Sequence, residues 1–177
     1  MTFRNILLGS ALAMAGTAAF GEAHMQTAAT AQVEGKDGIS GNVTLGTTAS
    51  GRTLVKIDVT GVPAGVHGVH LHETGDCSAE DYKSAGGHIA GDREHGVLVD
   101  GGPHPGDMPN MTVGEDGNLQ GEVFLDLLDI DTMIKDDDGA AFIIHAGADY
   151  YESQPAGDAG ARIACGAFEA SCAGSPC

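Results

Sequence analysis

The sequence predicts an all-β protein, an antiparallel sandwich or barrel. Residues 53–60 alternate Val55, Ile57 and Val59 with polar side chains, which is the period of a half-buried strand. The 177 residues include 28 glycines and only 5% aromatic residues, which suits tight turns around a core of small aliphatic side chains. Beyond the first 23 residues, no segment has the period of an amphipathic helix.

Seven short apolar runs, separated by Gly, Asn or Asp turn residues, are the predicted strands. They cover residues 39–45, 53–60, 66–72, 110–113, 119–125, 140–145 and 162–168. The stretch between the third and fourth runs is rich in Gly, Pro and Asp, so a long loop is predicted there. Residues 24–30 and 170–177 are expected to be mobile ends. With no linker inside it, the stretch 24–177 should form a single domain.

The first 23 residues have the features of a secretory signal peptide. Arg4 precedes an apolar run over residues 6–20, and small residues follow through Ala23. The run is too short, and too interrupted by Gly and Ser, to be a membrane anchor. We therefore expect an exported, soluble protein. His24 would then lie at or near a disordered mature amino terminus, where an amine and an imidazole could chelate a metal.

The chain is strongly acidic, with 8 basic and 25 acidic residues and a net charge of −17. Removal of residues 1–23 takes away Arg4 and Glu22, which leaves 7 basic and 24 acidic residues and the same net charge. Nucleic acid and anionic membranes are therefore not expected partners. The acidic residues are spread along the chain, which is typical of a solvated surface.

The interpretation of the four cysteines depends on whether the protein folds in an oxidising compartment. An oxidising compartment would allow Cys77 and Cys165 to pair, closing a loop of 88 positions and stabilising the fold by roughly 4–5 kcal/mol in the chain-entropy model. Cys172 and Cys177 lie close together in a Gly/Ser/Pro tail and could form a second, small bridge.

Six histidines and one aspartate are spaced so that they can build two adjacent metal sites. His70 and His72 are two apart in an apolar run, so both rings would leave a strand on the same side. The other five are His88, His95, His104, Asp107 and His145. Metal ligation would let a loop poor in apolar residues fold. A single histidine is more often a hydrogen-bonded or surface residue, as we expect for His67, but the ordered set favours metal.

The motifs that contain these residues resemble the copper/zinc superoxide dismutases. They are GVHLHETGDC at 68–77, GGH at 86–88, HG at 95–96, HPGD at 104–107 and GARIACG at 160–166, and the resemblance extends over residues 30–168. It implies an antiparallel, immunoglobulin-like Greek-key sandwich with long metal-binding and electrostatic loops. It also implies dismutation of superoxide to dioxygen and hydrogen peroxide by a copper ion cycling between Cu(II) and Cu(I), in a bacterial enzyme of the periplasmic type.

The resemblance also implies a role for each site residue. The copper ligands would be His70, His72, His88 and His145, and the zinc ligands would be His88, His95, His104 and Asp107. His88 would bridge the two ions as imidazolate, and would serve as a proton donor when its bond to copper breaks. Four imidazoles suit Cu(II), and three imidazoles with one carboxylate suit tetrahedral zinc.

Three further roles follow from the same resemblance. Arg162 would bind the anionic substrate beside copper. With the copper site it would form a local positive patch that reverses the repulsion of superoxide by a chain of net charge −17. Asp149 would accept hydrogen bonds from one copper and one zinc ligand, here His70 and His95. Cys77 and Cys165 match the disulfide of the family.

The chain departs from the common family pattern in its loops. His88 and His95 are seven apart, one fewer than is usual, so the loop must turn tightly, and Gly91 could allow this. Ala146 and Gly147 stand where many relatives have charged residues that guide the substrate.

Three other functions are compatible with parts of this pattern. A metal buffer could use the same ligands, but would gain nothing from Arg162. A copper-only dismutase would not need His95, His104 and Asp107. A domain that had lost its metals would be expected to have lost at least one ligand. The motifs are compatible with a monomer and with a homodimer.

Overall fold

The computed structural model describes residues 25–172 and 175–176. In this part of the chain it contains ten strands, one single-turn α-helix and two short 3-10 helices, at Lys36–Gly38 and Lys83–Ala85. The strands are β1 (Gln26–Gly35), β2 (Ser40–Thr47), β3 (Thr53–Thr60), β4 (Gly65–His67), β5 (Val69–His72), β6 (Met111–Val113), β7 (Leu119–Leu125), β8 (Ala141–His145), β9 (Arg162–Cys172) and β10 (Ser175–Pro176), and the helix α1 is Ile130–Met133. None of the helices in the described residues is long or apolar enough to cross a membrane.

Seven strands form one antiparallel sheet in the order β5–β8–β9–β1–β2–β3–β7, and β10 pairs with the end of β9. A second ladder pairs β4 with β6. The chain leaves β7 at one end of the large sheet and returns as β8 near the other end, which is the crossing connection of a Greek key. The sheet curls around one apolar core, so the prediction of an antiparallel β-sandwich or barrel is confirmed.

The alternation that predicted the third run is present in the core. Val55, Ile57 and Val59 are each at most 3% exposed, whereas Lys56 and Asp58 between them are exposed. Burial of one such aliphatic side chain stabilises the fold by about 1.5–3 kcal/mol. The two faces of β3 are therefore fixed by the sequence pattern alone.

The expectation of a mobile end at residues 24–30 is wrong for residues 26–30. These residues begin β1, which is hydrogen-bonded to β2 on one side and to β9 on the other. Ala29, Ala31 and Val33 point into the core with at most 1% exposure. Alanine has little preference for strands, so the alternation gave a weak signal, and burial between two neighbours decides the structure.

At the other end, β9 continues to residue 172 and β10 follows at Ser175–Pro176, so the expected mobile end at 170–177 is wrong for these residues. Several expectations fall outside the described residues: the signal peptide at 1–23, the chelating role of His24, and the bridge between Cys172 and Cys177.

The predicted run at 66–72 is two strands, because the chain changes ladders at Gly68. Gly68 donates its N–H to Gly147 O at 2.8 Å and accepts from His145 N at 2.9 Å. A Cβ at this position would stand 3.0 to 3.3 Å from Ala159, His70 and Asp149. This close approach brings the end of β8 and the loop after it beside the start of β5.

The helix α1 was not predicted, because four residues are too few to show a helical period. Asp129 caps it by accepting from the backbone N–H groups of Asp131 at 3.0 Å and Thr132 at 3.2 Å. This turn lies in the connection from β7 to β8, away from the histidine cluster.

Candidate metal centre

Strand β5 is the base of the centre, and the long loop docks against it. Leu71 donates its N–H to Gly106 O and accepts from Ile89 N, both at 2.9 Å. Isolated bridges pair His70 with Asp107 and His72 with His88. The loop residues therefore continue the backbone pairing of β5. No periodic pattern in the sequence predicted this pairing.

The six predicted histidine ligands are buried together. Each is at most 6% exposed, and the set is His70, His72, His88, His95, His104 and His145. They form two groups whose ligand atoms lie within 4.8 Å of one another. The first group is His70, His72, His88 and His145, and the second is His88, His95, His104 and Asp107. His88 belongs to both groups, and its ring stacks on that of His70 at a centroid distance of 4.0 Å.

Hydrogen bonds define which ring nitrogen carries the proton in three histidines of the first group. His72 Nδ1 donates to Gly86 O at 3.0 Å, and His145 Nδ1 donates to Gly160 O at 3.3 Å. His70 Nε2 donates to Asp149 Oδ2 at 2.6 Å. Because these oxygens only accept, the opposite nitrogen of each neutral ring keeps a free lone pair.

Those free nitrogens have no hydrogen-bond partner in the described part of the chain. They are His70 Nδ1, His72 Nε2 and His145 Nε2, and His88 Nε2 and His104 Nδ1 share this property. Buried polar atoms without partners are rare, because each leaves a desolvation cost uncompensated. Four converging imidazole lone pairs are the donor set that Cu(II) prefers, so the first group fits copper.

The second group converges on a single carboxylate oxygen, Asp107 Oδ1. It lies 3.0 Å from His88 Nδ1, 3.1 Å from His95 Nδ1 and 3.3 Å from His104 Nδ1, the last without the direction of a hydrogen bond. The other oxygen, Oδ2, accepts from the backbone of Gly96 at 2.9 Å and His104 at 3.0 Å. Three imidazole nitrogens and one oriented carboxylate fit a tetrahedral zinc ion.

Asp149 lies between the two groups and is 4% exposed. Oδ2 accepts from His70, and Oδ1 accepts from His95 Nε2 at 3.0 Å. These are hydrogen-bond distances to protonated ring nitrogens, so the cluster of His70, His95 and Asp149 is not a third metal site. Asn110 holds the backbone of Asp149 in place, donating from Nδ2 to Asp149 O at 2.9 Å and accepting from Asp149 N at 2.8 Å.

Burial keeps three rings of the first group, those of His70, His72 and His145, neutral at pH 7. It lowers the pKa of His70 to about 4, although the hydrogen bond to Asp149 opposes the shift. Burial and the nearby His88 lower the pKa of His72 to about 2, and burial and the nearby His70 lower that of His145 to about 3. The neutral ring is the form that binds metal.

His95 behaves in the opposite way, because both of its ring nitrogens face carboxylates. Burial alone would lower its pKa, but the hydrogen bonds to Asp107 and Asp149 outweigh this and raise the pKa to about 9. For Asp107 and Asp149, burial alone would raise the pKa, but hydrogen bonds from the histidines hold the pKa of both carboxyls well below its usual range. A cation at Asp107 can therefore take the place of the proton on His95 Nδ1.

Arg162 begins β9 and stands opposite His145 in the β8–β9 ladder. Nη1 donates to Tyr82 O and Nη2 to Gly86 O, both at 2.6 Å. An open cleft of about 480 Å³ is lined by both Arg162 and His145. The guanidinium is thus fixed at the mouth of the first group.

A disulfide joins Cys77 to Cys165 with their Cα atoms 5.8 Å apart, which confirms the predicted pairing. It ties the loop that contains Tyr82 and Gly86 to β9, three residues from Arg162.

Between His88 and His95 the chain turns tightly at Gly91, whose φ is +55°. His67 stays outside both groups, with Nδ1 2.7 Å from His145 O and Nε2 2.8 Å from Pro63 O.

The comparison with known families agrees with this donor set. Residues 39–168 match the family model of copper/zinc superoxide dismutase. The chain belongs to the copper/zinc superoxide dismutase family. It is 36% identical to a copper/zinc superoxide dismutase of Caulobacter vibrioides over 148 residues, which are 80% of this chain and 85% of the relative. A dismutase of Aquifex aeolicus shares 40% identity over 119 residues, 64% of this chain and 70% of the relative.

A solved structure agrees as well. A superoxide dismutase-like protein from Bacillus subtilis superposes with a TM-score of 0.73 at 33% identity, covering 78% of this chain and 96% of that chain. Membership of the copper/zinc superoxide dismutase family makes this chain a superoxide dismutase, with copper and zinc as cofactors and superoxide as substrate.

Of the groups that orient the ligands, the sequence indicated Asp149 but not Gly86, Gly160 or Asn110. Gly86 and Gly160 act through their backbone carbonyls, which leave no side-chain signal. Residue 110 was predicted only as the start of the strand run at 110–113. Its short distance in sequence from Asp107 was the one signal for its role.

Proposed function

We propose that this dismutase works with a copper ion held by the first group and a zinc ion held by the second, with His88 bridging them. The proposed copper ligands are His70, His72, His88 and His145, and the proposed zinc ligands are His88, His95, His104 and Asp107. The observation that carries the proposal is the position of His88: Nε2 lies unpartnered among the nitrogens of the first group, and Nδ1 faces Asp107 in the second.

Copper, when bound, supplies one-electron chemistry between Cu(II) and Cu(I), so that one superoxide leaves as dioxygen and a second leaves as hydrogen peroxide. The protein must provide protons to the peroxide. His88 can take and return one at Nε2, since no group in the described part of the chain is hydrogen-bonded to that nitrogen. Its Nδ1 stays on the Asp107 side, so the ring keeps its position while the proton moves.

The remaining ligands hold the geometry through hydrogen bonds to fixed acceptors. Gly86, Gly160 and Asp149 determine the ring orientations of His72, His145 and His70. Asp149 also holds His95, so it couples the two groups.

Arg162 is proposed to attract and orient superoxide. The net charge of −17 repels an anion at long range, so a local positive charge is needed at the cleft. The two carbonyl anchors hold the guanidinium beside His145, and a metal buffer would have no use for this arrangement.

The test combines metal analysis with a superoxide assay on the purified protein. We expect near-stoichiometric copper and zinc, and activity that requires copper. His88→Ala should lower activity by about a hundredfold or more, because both the shared ligand and the proton donor are lost. His67→Gln is the matched control, since His67 lies outside both groups, and should keep both metals. Wild-type activity in copper-free protein would contradict the proposal, and metal binding without turnover would indicate a buffer.

We also propose that residues 1–23 are a signal peptide removed on export to the periplasm. The disulfide supports this, because such bonds persist in oxidising compartments. Mass spectrometry of the protein from a periplasmic extract should give a chain that begins near residue 24. A full-length chain confined to the cytoplasm would refute the proposal.

A further inference from the structure

Gln154 makes a pair of hydrogen bonds with the backbone of His95. Its Oε1 accepts from His95 N at 3.0 Å, and its Nε2 donates to His95 O at 2.9 Å. A side-chain amide thus satisfies both backbone groups of one residue, as a neighbouring strand would. The two residues are 59 positions apart, so this is a contact between two loops.

The backbone of His95 needs the support of these two hydrogen bonds. His95 lies outside every helix and strand of the described residues, so no regular ladder fixes its backbone. Its ring is fully buried, and its two nitrogens lie 3.1 Å from Asp107 Oδ1 and 3.0 Å from Asp149 Oδ1. A small displacement of the backbone would lengthen both contacts at once. Orientation of a metal ligand by its surroundings governs affinity strongly.

The loop that carries Gln154 also reaches the substrate side. Gln154 and Ser153 line the same cleft as His145 and Arg162. The loop also contains Asp149, so it touches His95 at the ring and at the backbone. Gln154 itself is exposed, so its replacement leaves no cavity in the core.

We propose that Gln154 is a positioning residue of the zinc side of the centre, whose side-chain amide fixes the His95 backbone so that the ring meets both Asp107 and the metal. The proposal rests on the assignment of His95 as a zinc ligand. It predicts that the hydrogen bonds of Gln154, rather than its bulk, determine how tightly zinc is held.

The decisive variant is Gln154→Met, which keeps the length of the side chain and removes both hydrogen bonds to His95, together with a long one of 3.4 Å from Nε2 to Glu152 O. Gln154→Ala removes the bulk as well. The matched control is Gln120→Met on β7, because Gln120 is also exposed and donates one side-chain hydrogen bond, to Asp58 at 2.7 Å, outside both metal groups. All four proteins, including the wild type, are compared in full length with copper bound.

Zinc affinity is measured by competition with a chromophoric chelator. We expect the zinc dissociation constant to rise about tenfold or more in both Gln154 variants, as is typical when support of a metal ligand is removed. Copper affinity should change by less than about threefold, which is the range of ordinary surface substitutions. The visible spectrum of Co(II) bound in place of zinc should shift in the variants and stay unchanged in Gln120→Met, because Co(II) absorption reports ligand geometry.

Hydrogen exchange of the His95 amide gives a second, independent measurement. In the zinc-loaded protein this amide is bonded to Gln154 Oε1, so its exchange should be at least about tenfold faster in Gln154→Met.

Each other outcome is decisive. Wild-type zinc affinity in Gln154→Met, with normal zinc binding by the wild type, would overturn this inference and leave the proposed function intact. A lower melting temperature with unchanged zinc affinity would also overturn it, since Gln154 would then only stabilise the fold. A wild type that binds no zinc would refute the assignment of His95 itself, and with it the proposed function.

Discussion

Arg162 and His72 donate to the same acceptor, the carbonyl oxygen of Gly86. Arg162 Nη2 lies 2.6 Å from it and His72 Nδ1 lies 3.0 Å from it. The cation at the cleft and a proposed copper ligand are therefore held at a fixed separation by one backbone group. The disulfide at Cys77 restrains the loop that presents this carbonyl.

Arg162→Ala should lower the second-order rate constant for superoxide by about tenfold, within the range that electrostatic guidance spans. The salt dependence should also change. Without Arg162 the repulsion by the acidic surface is opposed by less positive charge at the cleft, so added salt should raise the rate of the variant by screening that repulsion. Pulse radiolysis at low and physiological ionic strength measures both effects.

The control for this change is Arg52→Ala, since Arg52 is exposed and pairs with Asp126 at 2.8 Å, outside the cleft lined by Arg162. Its rate should stay close to the wild-type value. A wild-type rate in Arg162→Ala, with copper fully bound, would show that guidance does not depend on this residue.

Asp149→Asn should weaken zinc binding by about tenfold to a hundredfold. The amide leaves one acceptor oxygen where two ring N–H groups now donate, so either His70 or His95 loses its partner. Equilibrium dialysis against zinc gives the affinity. Asp58→Asn, an exposed aspartate on β3, serves as the control, and unchanged zinc retention in Asp149→Asn would contradict the coupling of the two groups.

Protein stripped of metal by a chelator should be most stable near pH 6.5. Free histidine titrates near pH 6.5, whereas burial lowers the pKa of His70, His72 and His145 to about 4, 2 and 3. Between about pH 6.5 and 4 the unfolded chain binds a proton at each position that the folded protein excludes. Each histidine therefore lowers the free energy of unfolding by about 1.4 kcal/mol per pH unit of acidification.

His95 determines how the free energy of unfolding changes on the alkaline side of this stability maximum. Its pKa of about 9 is raised by Asp107 and Asp149 against the effect of burial, so its contribution is complete below about pH 6.5 and is lost as the pH rises through 9. Urea unfolding of the stripped protein at about pH 5, 6.5 and 9 measures the whole profile. His145→Gln should reduce the acid slope by roughly a quarter to a third, because burial also lowers the pKa of His104, which adds to the slope. Greater stability at pH 5 than at pH 6.5 would refute the prediction.

Removal of the disulfide by Cys77→Ser together with Cys165→Ser should lower the free energy of unfolding by about 2–5 kcal/mol. The bond closes a loop across 88 positions, so the unfolded chain gains much freedom without it. Urea denaturation measures the loss, and wild-type protein under reducing conditions should match the double variant. Equal stability of the oxidised wild type and the double variant would contradict this account.

The sequence predicted the structure correctly where its apolar residues recur with the period of a strand. Val55, Ile57 and Val59 predicted β3 because alternate side chains of a strand face the same side. The alanines of β1 gave no comparable signal, since burial between β2 and β9 decides their structure, and this burial is visible only once the sheet is assembled. Gly68 divides a continuous apolar run for a similar reason, because the chain must change partners there.

The ligand residues were predictable, but their protonation was not. Six histidines in ordered motifs pointed to two adjacent metal sites. The choice of Nδ1 or Nε2 as the free nitrogen depends on distant backbone acceptors, such as Gly160 for His145 and Gly86 for His72. These acceptors meet the rings only through the tertiary fold, so local sequence cannot specify them.

The pairing of β1 with β9 also determines when the protein can finish folding. Its register joins Ala29 to Ala170 and Gly35 to Ala164, which are 141 and 129 positions apart. The amino-terminal strand must therefore wait, with one edge open, until nearly the whole polypeptide has been synthesised. Closure of the sheet is thus postponed until β9 has been synthesised, so the apolar side chains of β1 are protected on both sides only late in chain synthesis.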